Sequence, residues 1–251
     1  MWTREELKTR AKAVLKGSYW KAFLVSIILV FVGGSNGGPN LNWRINNSGG
    51  YRQSFPLSMI DNIGHMVSYI TILIITIAVI LLIIALRIFI GYSIEVSGRH
   101  YFIKSAEGNA DLNNLGYSFK DGKYKNIIKG MLYRGVLVFL WTLLLVIPGI
   151  VKGYAYAMVP YILADNPNIG YKRAIEISNG MTDGEKGKMF VLDLSFIGWY
   201  LLGALALGIG ILFVNPYVNA TGAELYLVLR QRAISNGTCS LEELNMDEFT
   251  K

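Results

Sequence analysis

From Ser68 to Leu86 the chain runs for 19 residues without a charge and is rich in isoleucine and leucine. As a helix rising about 1.5 Å per residue, such a run reaches across a hydrocarbon core of about 30 Å. Lipid offers no hydrogen-bond partners, so a segment placed there must satisfy its own backbone, and a helix does so. The whole chain has 251 residues, a mean hydropathy of +0.39 and 16% charged residues, where a soluble domain carries about 25%. The missing charge is concentrated in discrete runs, which predicts several spans rather than one greasy core.

Six apolar segments are expected, in three pairs with recurring punctuation. Each pair follows a Lys-Gly step (Lys16-Gly17, Lys129-Gly130, Lys186-Gly187) and runs to a Gly-Tyr or Pro-Tyr step (Gly91-Tyr92, Pro160-Tyr161, Pro216-Tyr217). Gly130 to Pro160 is 30 residues and Gly187 to Pro216 is 29, a near-equality that points to a weak internal repeat. The fold class that follows is all-α: a polytopic membrane bundle of six spans built as three hairpins. Turns are expected at Pro148-Gly149 and Leu207–Gly210. A single kinked helix over 131–164 competes with the hairpin, but it would carry the basic segment 165–188 to the outer side.

The six-span arrangement divides one membrane domain, 1–251, into alternating pieces. Residues 1–18 are expected as a cytoplasmic amphipathic helix, with Thr3 and Glu6 as a capping box. Its Leu7, Ala11, Val14 and Leu15 share a face that could lie in the headgroup region. Residues 34–64 read as an outer Asn/Gly-rich loop, 95–130 as a cytoplasmic basic segment, 165–188 as a cytoplasmic interfacial segment, and 230–251 as a cytoplasmic tail. The inner pieces, bounded at 1–21, 95–134, 165–188 and 230–251, hold 20 of the 24 Lys and Arg. That asymmetry places both termini in the cytoplasm. The net charge of +7 is read as attraction to an anionic membrane surface rather than to nucleic acid, because the basic residues flank apolar runs. Arg4, Lys8, Lys12, Lys172 and Arg173 are the candidate anionic-lipid contacts. The basic N-terminal region is too long for a signal peptide and lacks a small-residue cleavage pattern, so Tyr19 to Gly33 is expected as a first span.

Catalytic patterns are missing. No Walker loop, G-x-G-x-x-G, G-x-S-x-G or H-E-x-x-H occurs. His65 and His100 are expected on opposite sides of the membrane, so no shared metal is expected, and no cofactor. The lone cysteine, Cys239, is expected to be a solvated tail residue. Polar side chains inside spans are the default functional candidates. Asn215, Asn219, Gly222 and Tyr226 fall on one helical face at i, i+4, i+7 and i+11, and Asp193 lies in the preceding span. Helix packing and a solute path or headgroup pocket both account for such a face.

The combined motifs resemble a bacterial integral-membrane family called domain of unknown function 975. They are Leu7-Lys8 through Leu15-Lys16-Gly17, Leu140-Trp141 through Ile147-Pro148-Gly149-Ile150, Ala174–Ser178 with Met181 and Gly184, and Leu194–Trp199 with Gly208-Ile209-Gly210 and Pro216-Tyr217. The resemblance implies a multi-pass cell-membrane protein of Gram-positive type and transfers no catalytic residue. The expected function is therefore non-enzymatic, through contacts with membrane lipids, a protein partner or further copies of the chain. A small transporter or channel is the alternative, and an intramembrane lipid-modifying enzyme using Asp193 or Glu224 is the third reading.

Overall fold

The computed structural model describes residues 2–32, 58–120, 122–205 and 210–245. Of the loop expected over 34–64, residues up to 57 lie outside the described residues and 58–64 are helical, opening the second helix; the expected turn at Leu207-Gly208-Ile209 also lies outside the described residues. Among those described the chain is helical, without strands, and five helices are long and apolar enough to cross a membrane.

The first helix, α1 (Arg4–Val32), joins the expected amphipathic helix and the first apolar span into one element. They meet at a kink where Ser18 leaves helical geometry, with φ −134° and ψ 17°. The Ser18 hydroxyl donates to the Val14 carbonyl at 3.0 Å, a back-bond that competes with the helix ladder. The face carrying Leu7, Ala11 and Leu15 does not look out toward headgroups. All three are buried in the protein's own core, which corrects the interfacial placement: the chain itself supplies the partner for this face.

Next, α2 (Ser58–Leu86) passes through a π-helical turn, Arg87–Gly91, into α3 (Tyr92–Ala106). The character of this long rod changes at Arg87. Before it, large apolar side chains are exposed on every side of the helix, Met66 at 62% and Leu81 at 60% among them. After it, Glu95, Ser97, Arg99 and His100 are buried. A π-turn adds one residue to the helical register, and this one lies where the rod passes from an exposed apolar cylinder into the bundle.

After a 3-10 segment (Leu112–Phe119) come α4 (Lys123–Leu144) and α5 (Val146–Ala155). The break between them is Leu145, extended at φ −158° and ψ 139°. It falls three residues before the expected Pro148-Gly149 turn. Pro148 sits in the first turn of α5 instead, where a missing N–H costs nothing. Gly149 marks the closest approach: a Cβ there would come within 2.7 Å of the Thr142 Cα. Arg134 Nε donates to the Tyr156 carbonyl at 2.9 Å, so numbers rise on α5 as they fall on α4 and the two run antiparallel.

Two short helices follow, α6 (Val159–Asp165) and α7 (Tyr171–Met181), then α8 (Lys186–Leu194), α9 (Ile197–Leu205) and α10 (Gly210–Ser235). In the expected interfacial segment 165–188, the α7 residues Ala174, Ile175 and Met181 are buried in the protein, and of the apolar stripe they form with Tyr171 only Tyr171 is exposed. Gly203 and Gly210 touch with backbone at van der Waals range, Tyr200 reaches Asn215, and Phe196 packs on Tyr217 at 5.4 Å. That pairing makes α9 and α10 antiparallel. Leu29 against Gly98, and Ser18 within 3.5 Å of Ser105, do the same for α1 and α3. α10 is central, packing on α1, α3, α7 and α9.

The expected tail folds back. Asn245 Nδ2 donates to the Asp165 carbonyl at 3.2 Å, and Arg173 takes both carboxylate oxygens of Glu243 at 2.8 and 3.1 Å. Cys239 is buried, not solvated, and burial first of all pushes its thiol up to about 11.

Candidate functional site in the polar interior

The polar face of α10 is a seam of buried contacts. Asn219 Oδ1 accepts from Arg99 at 2.7 Å, and its Nδ2 donates to Ser26 at 3.1 Å. One amide thus joins α1, α3 and α10. The Arg99 guanidinium lies over the Tyr161 ring at 5.2 Å, and that ring stacks on Tyr226 at 5.2 Å. Tyr226 donates to Asp165 at 2.6 Å, and Arg230 donates to the same carboxylate oxygen at 2.9 Å. Asn215 faces α9, 3.5 Å from the Tyr200 hydroxyl. Gly222 is elsewhere on the helix, lining a cavity described below.

At the Arg230 end of this seam Arg230 also donates to Glu107 at 3.0 Å, and Lys104 donates to Glu107 at 2.8 Å. Burial alone would raise the Glu107 carboxyl, but the hydrogen bonds from Lys104 and Arg230 win and hold it below the usual range. Arg10, Lys104, Glu107, Glu224 and Arg230 line a cleft of about 700 Å³. Segments far apart in sequence therefore meet at one end: the first helix, the region after α3, α6 with α7, and the tail. Glu185 belongs to the same end. Burial raises its carboxyl less than Lys188 and Arg232 lower it, so it too is held down.

The sequence reading missed α3. Glu95 and Arg99 stand one helical turn apart just past the longest apolar run. Expected as part of the cytoplasmic basic segment 95–130, they are buried in the bundle, Arg99 at 0% exposure. Arg87 Nη2 donates to Glu95 Oε2 at 2.8 Å, and Arg134 Nη1 stands 3.8 Å from Glu95 Oε1. His100 is buried as well, stacked on Tyr117 at 3.9 Å with Nδ1 2.9 Å from the Ala164 carbonyl. A turn-spaced acid and base next to an apolar run was the available signal, since isolated charges beside a bilayer need partners.

Asp193 is not in this seam. It lines a cavity of about 420 Å³ enclosed by α4, α5, α8 and α10, whose walls include Val138, Ile150, Met189 and Phe196. Its Oδ2 accepts from the Tyr154 hydroxyl at 2.8 Å. The structure therefore parts Asp193 from Asn219 and Tyr226, and groups it with Gly222, Thr221 and Arg134.

The basic candidates also divide. Lys8 donates to the Ser195 hydroxyl at 2.8 Å and sits over the Phe196 ring at 4.4 Å; Lys12 lies over Tyr217 at 5.8 Å. Arg173 is held by Glu243 and the Thr238 carbonyl. Arg4 and Lys172 are exposed. Among the described residues no group of three His, Cys, Asp or Glu side chains is placed to hold a metal.

No curated protein and no solved structure matches the chain significantly. The N-terminal Leu7–Gly17 motif lies outside the residues matched by a family model. Residues 123–233, from the start of α4 to the last turns of α10, match the family described as a protein of unknown function, DUF975.

Proposed function

We propose that this chain is a six-span cell-membrane protein with both termini in the cytoplasm, acting without catalysis through its contacts with lipid. One observation carries the reading. The segments that hold most of the lysines and arginines converge at one end of the bundle, through the Arg230–Asp165, Arg230–Glu107 and Arg173–Glu243 pairs. The Leu145 break and the Gly203–Gly210 contact mark where the antiparallel pairs reverse. The antiparallel pairs α4–α5 and α9–α10 support this alternation of sides, which the positive-inside rule requires, while α1 packs on α3 rather than on the apolar run 66–86. On this reading α10 is the sixth span. Its hydropathy is lowered by Asn215, Asn219 and Glu224, but those side chains are buried in protein, so they do not meet lipid.

The basic end would draw the protein's inner surface to anionic lipid, about 1 kcal/mol per Lys or Arg close to the surface. Arg4 and Lys172 are best placed, being exposed, whereas Arg173 is engaged by Glu243. A solute path along α10 is the weaker reading. The amides there are committed to Arg99, Ser26 and Tyr200, as a packed seam would have them. Purification in native lipid followed by mass spectrometry of what stays bound tests the reading. Retained phospholipid supports it; a retained polar solute with no retained lipid replaces it with transport.

A further inference from the structure

We propose that the 420 Å³ cavity between α4, α5, α8 and α10 is a binding site for a phospholipid whose headgroup carries both a phosphate and a primary ammonium. This rests on the lipid-contact reading above and names the lipid class. The volume falls in the range of ligand pockets, about 300–1,000 Å³. Its lining is mainly apolar, and Val146 and Ile150, which line it, are 65% and 53% exposed. The cavity therefore opens onto the outer face of α5, where acyl chains can run out into the bilayer.

Two charged groups share this cavity, and neither is fully satisfied by the other protein side chains. Asp193 accepts from Tyr154 through one oxygen, and it forms no ion pair among the described residues. A carboxylate in an apolar membrane cavity without a cation is a costly arrangement. Arg134 is anchored by Nε on the Tyr156 carbonyl, which leaves the guanidinium edge to face Glu95 at 3.8 Å, beyond hydrogen-bond length. Glu95 gives its short contact to Arg87. Glu95 thus leaves the Nη1 edge of Arg134 without a close carboxylate, while Asp193 has no cation among the described residues. A zwitterionic headgroup answers both: its ammonium has three N–H donors for Asp193, and its phosphate accepts from the edge of Arg134. A quaternary ammonium has no N–H to give. An anionic headgroup would leave Asp193 without a cation and bring a second negative charge to it.

The test uses the full-length protein in micelles loaded with equimolar phosphatidylethanolamine, phosphatidylcholine and phosphatidylglycerol of matched chains. Native mass spectrometry counts the lipid that stays bound at moderate and high salt. The expected result is retention of phosphatidylethanolamine over each of the others by at least about tenfold, the scale of a charge-assisted hydrogen bond, at both salt concentrations. Asp193→Asn should bring the ethanolamine-to-choline ratio close to one. Asp193→Glu and Tyr154→Phe, which keep the carboxylate, should retain the preference and show that the fold tolerates change here. Equal retention of ethanolamine and choline lipids by the wild type, or a preference that survives Asp193→Asn, overturns the assignment but leaves the lipid-contact reading standing. A salt-sensitive preference for phosphatidylglycerol alone also overturns it and assigns selectivity to the basic surface. Retention of no lipid overturns both readings.

Discussion

On the six-span reading, two long helices, α2 and α10, reach a membrane by opposite means. Residues 66–86 of α2 form an apolar cylinder whose side chains are exposed all round, its close packing among the described residues being onto the π-turn that follows. α10 carries amides, a carboxylate, a proline and two arginines, and half of its residues are buried, Asn215, Asn219, Glu224 and Arg230 among them. Composition alone qualifies α2 for lipid. α10 qualifies only through its neighbours, because Arg99, Ser26, Tyr161 and Asp165 take up its polar groups. It follows that α2 should tolerate shuffling of its apolar residues, whereas α10 should tolerate little at particular positions.

The largest effect is expected where a buried charge loses its partner. Asp165→Leu leaves Arg230 with Glu107 alone. Both members of the Asp165–Arg230 pair are nearly buried, at 6% and 9% side-chain exposure, so removing one should cost about 3–5 kcal/mol. The check is the thermal midpoint of the purified protein in detergent, which should drop sharply. A variant as stable as the wild type would mean that α10 does not depend on this end of the seam.

Asn219→Leu should cost less, about 2 kcal/mol, because it removes one hydrogen bond to a charged group and one to a hydroxyl. Protein should still fold and reach the membrane. If the midpoint is unmoved, the joint between α1, α3 and α10 contributes little. On α2 the corresponding change, Ile75→Leu, should stay within about 0.5 kcal/mol. A loss comparable to that of Asn219→Leu would show that α2 has a specific partner and would end the contrast.

The tail gives the smallest effect, and a pH dependence with a definite sign. Hydrogen bonds from Arg173 first, and from the Ser240 backbone, hold Glu243 below the usual carboxylate range. A carboxyl whose folded pKa is lowered stabilises fully above its unfolded value, about 4.3, and loses that contribution as pH falls through the lowered folded value. Hydrogen exchange over residues 238–245 should therefore be slow near neutral pH. Relative to the intrinsic exchange rate, it should lose protection only below the ordinary carboxylate range. Arg173→Ala should remove the protection at neutral pH and speed labelling of the buried Cys239. Unchanged labelling would detach the tail from α7.

What could be read beforehand follows the same contrast. Self-contained segments were legible: the uncharged run in α2, the helical class of the whole chain, and a break in the apolar stretch 131–164. Features that depend on a distant partner were not. Leu7, Ala11 and Leu15 form an apolar face whether it meets lipid or protein, and periodicity cannot distinguish these. Pro148 marked a break, but proline serves equally in a turn and in the first turn of a helix, so the position came out three residues late. The α10 face was visible as a pattern, yet its partner Arg99 lies 120 residues away in sequence. Asp193, grouped with that face by proximity in sequence, belongs to a different cavity.

The account stands most directly on α10 being the sixth crossing. Replacing Cys239 by serine and introducing single cysteines at Asn179, in the last turn of α7, and at Asn236, just after α10, puts probes before and after the last pair of helices. Both positions are exposed, and Gly180 and Thr238 are in contact next to them. An impermeant thiol reagent should label neither cysteine in intact cells and both after permeabilisation. Labelling of either one in intact cells would place that end of the bundle outside and contradict the six-span arrangement.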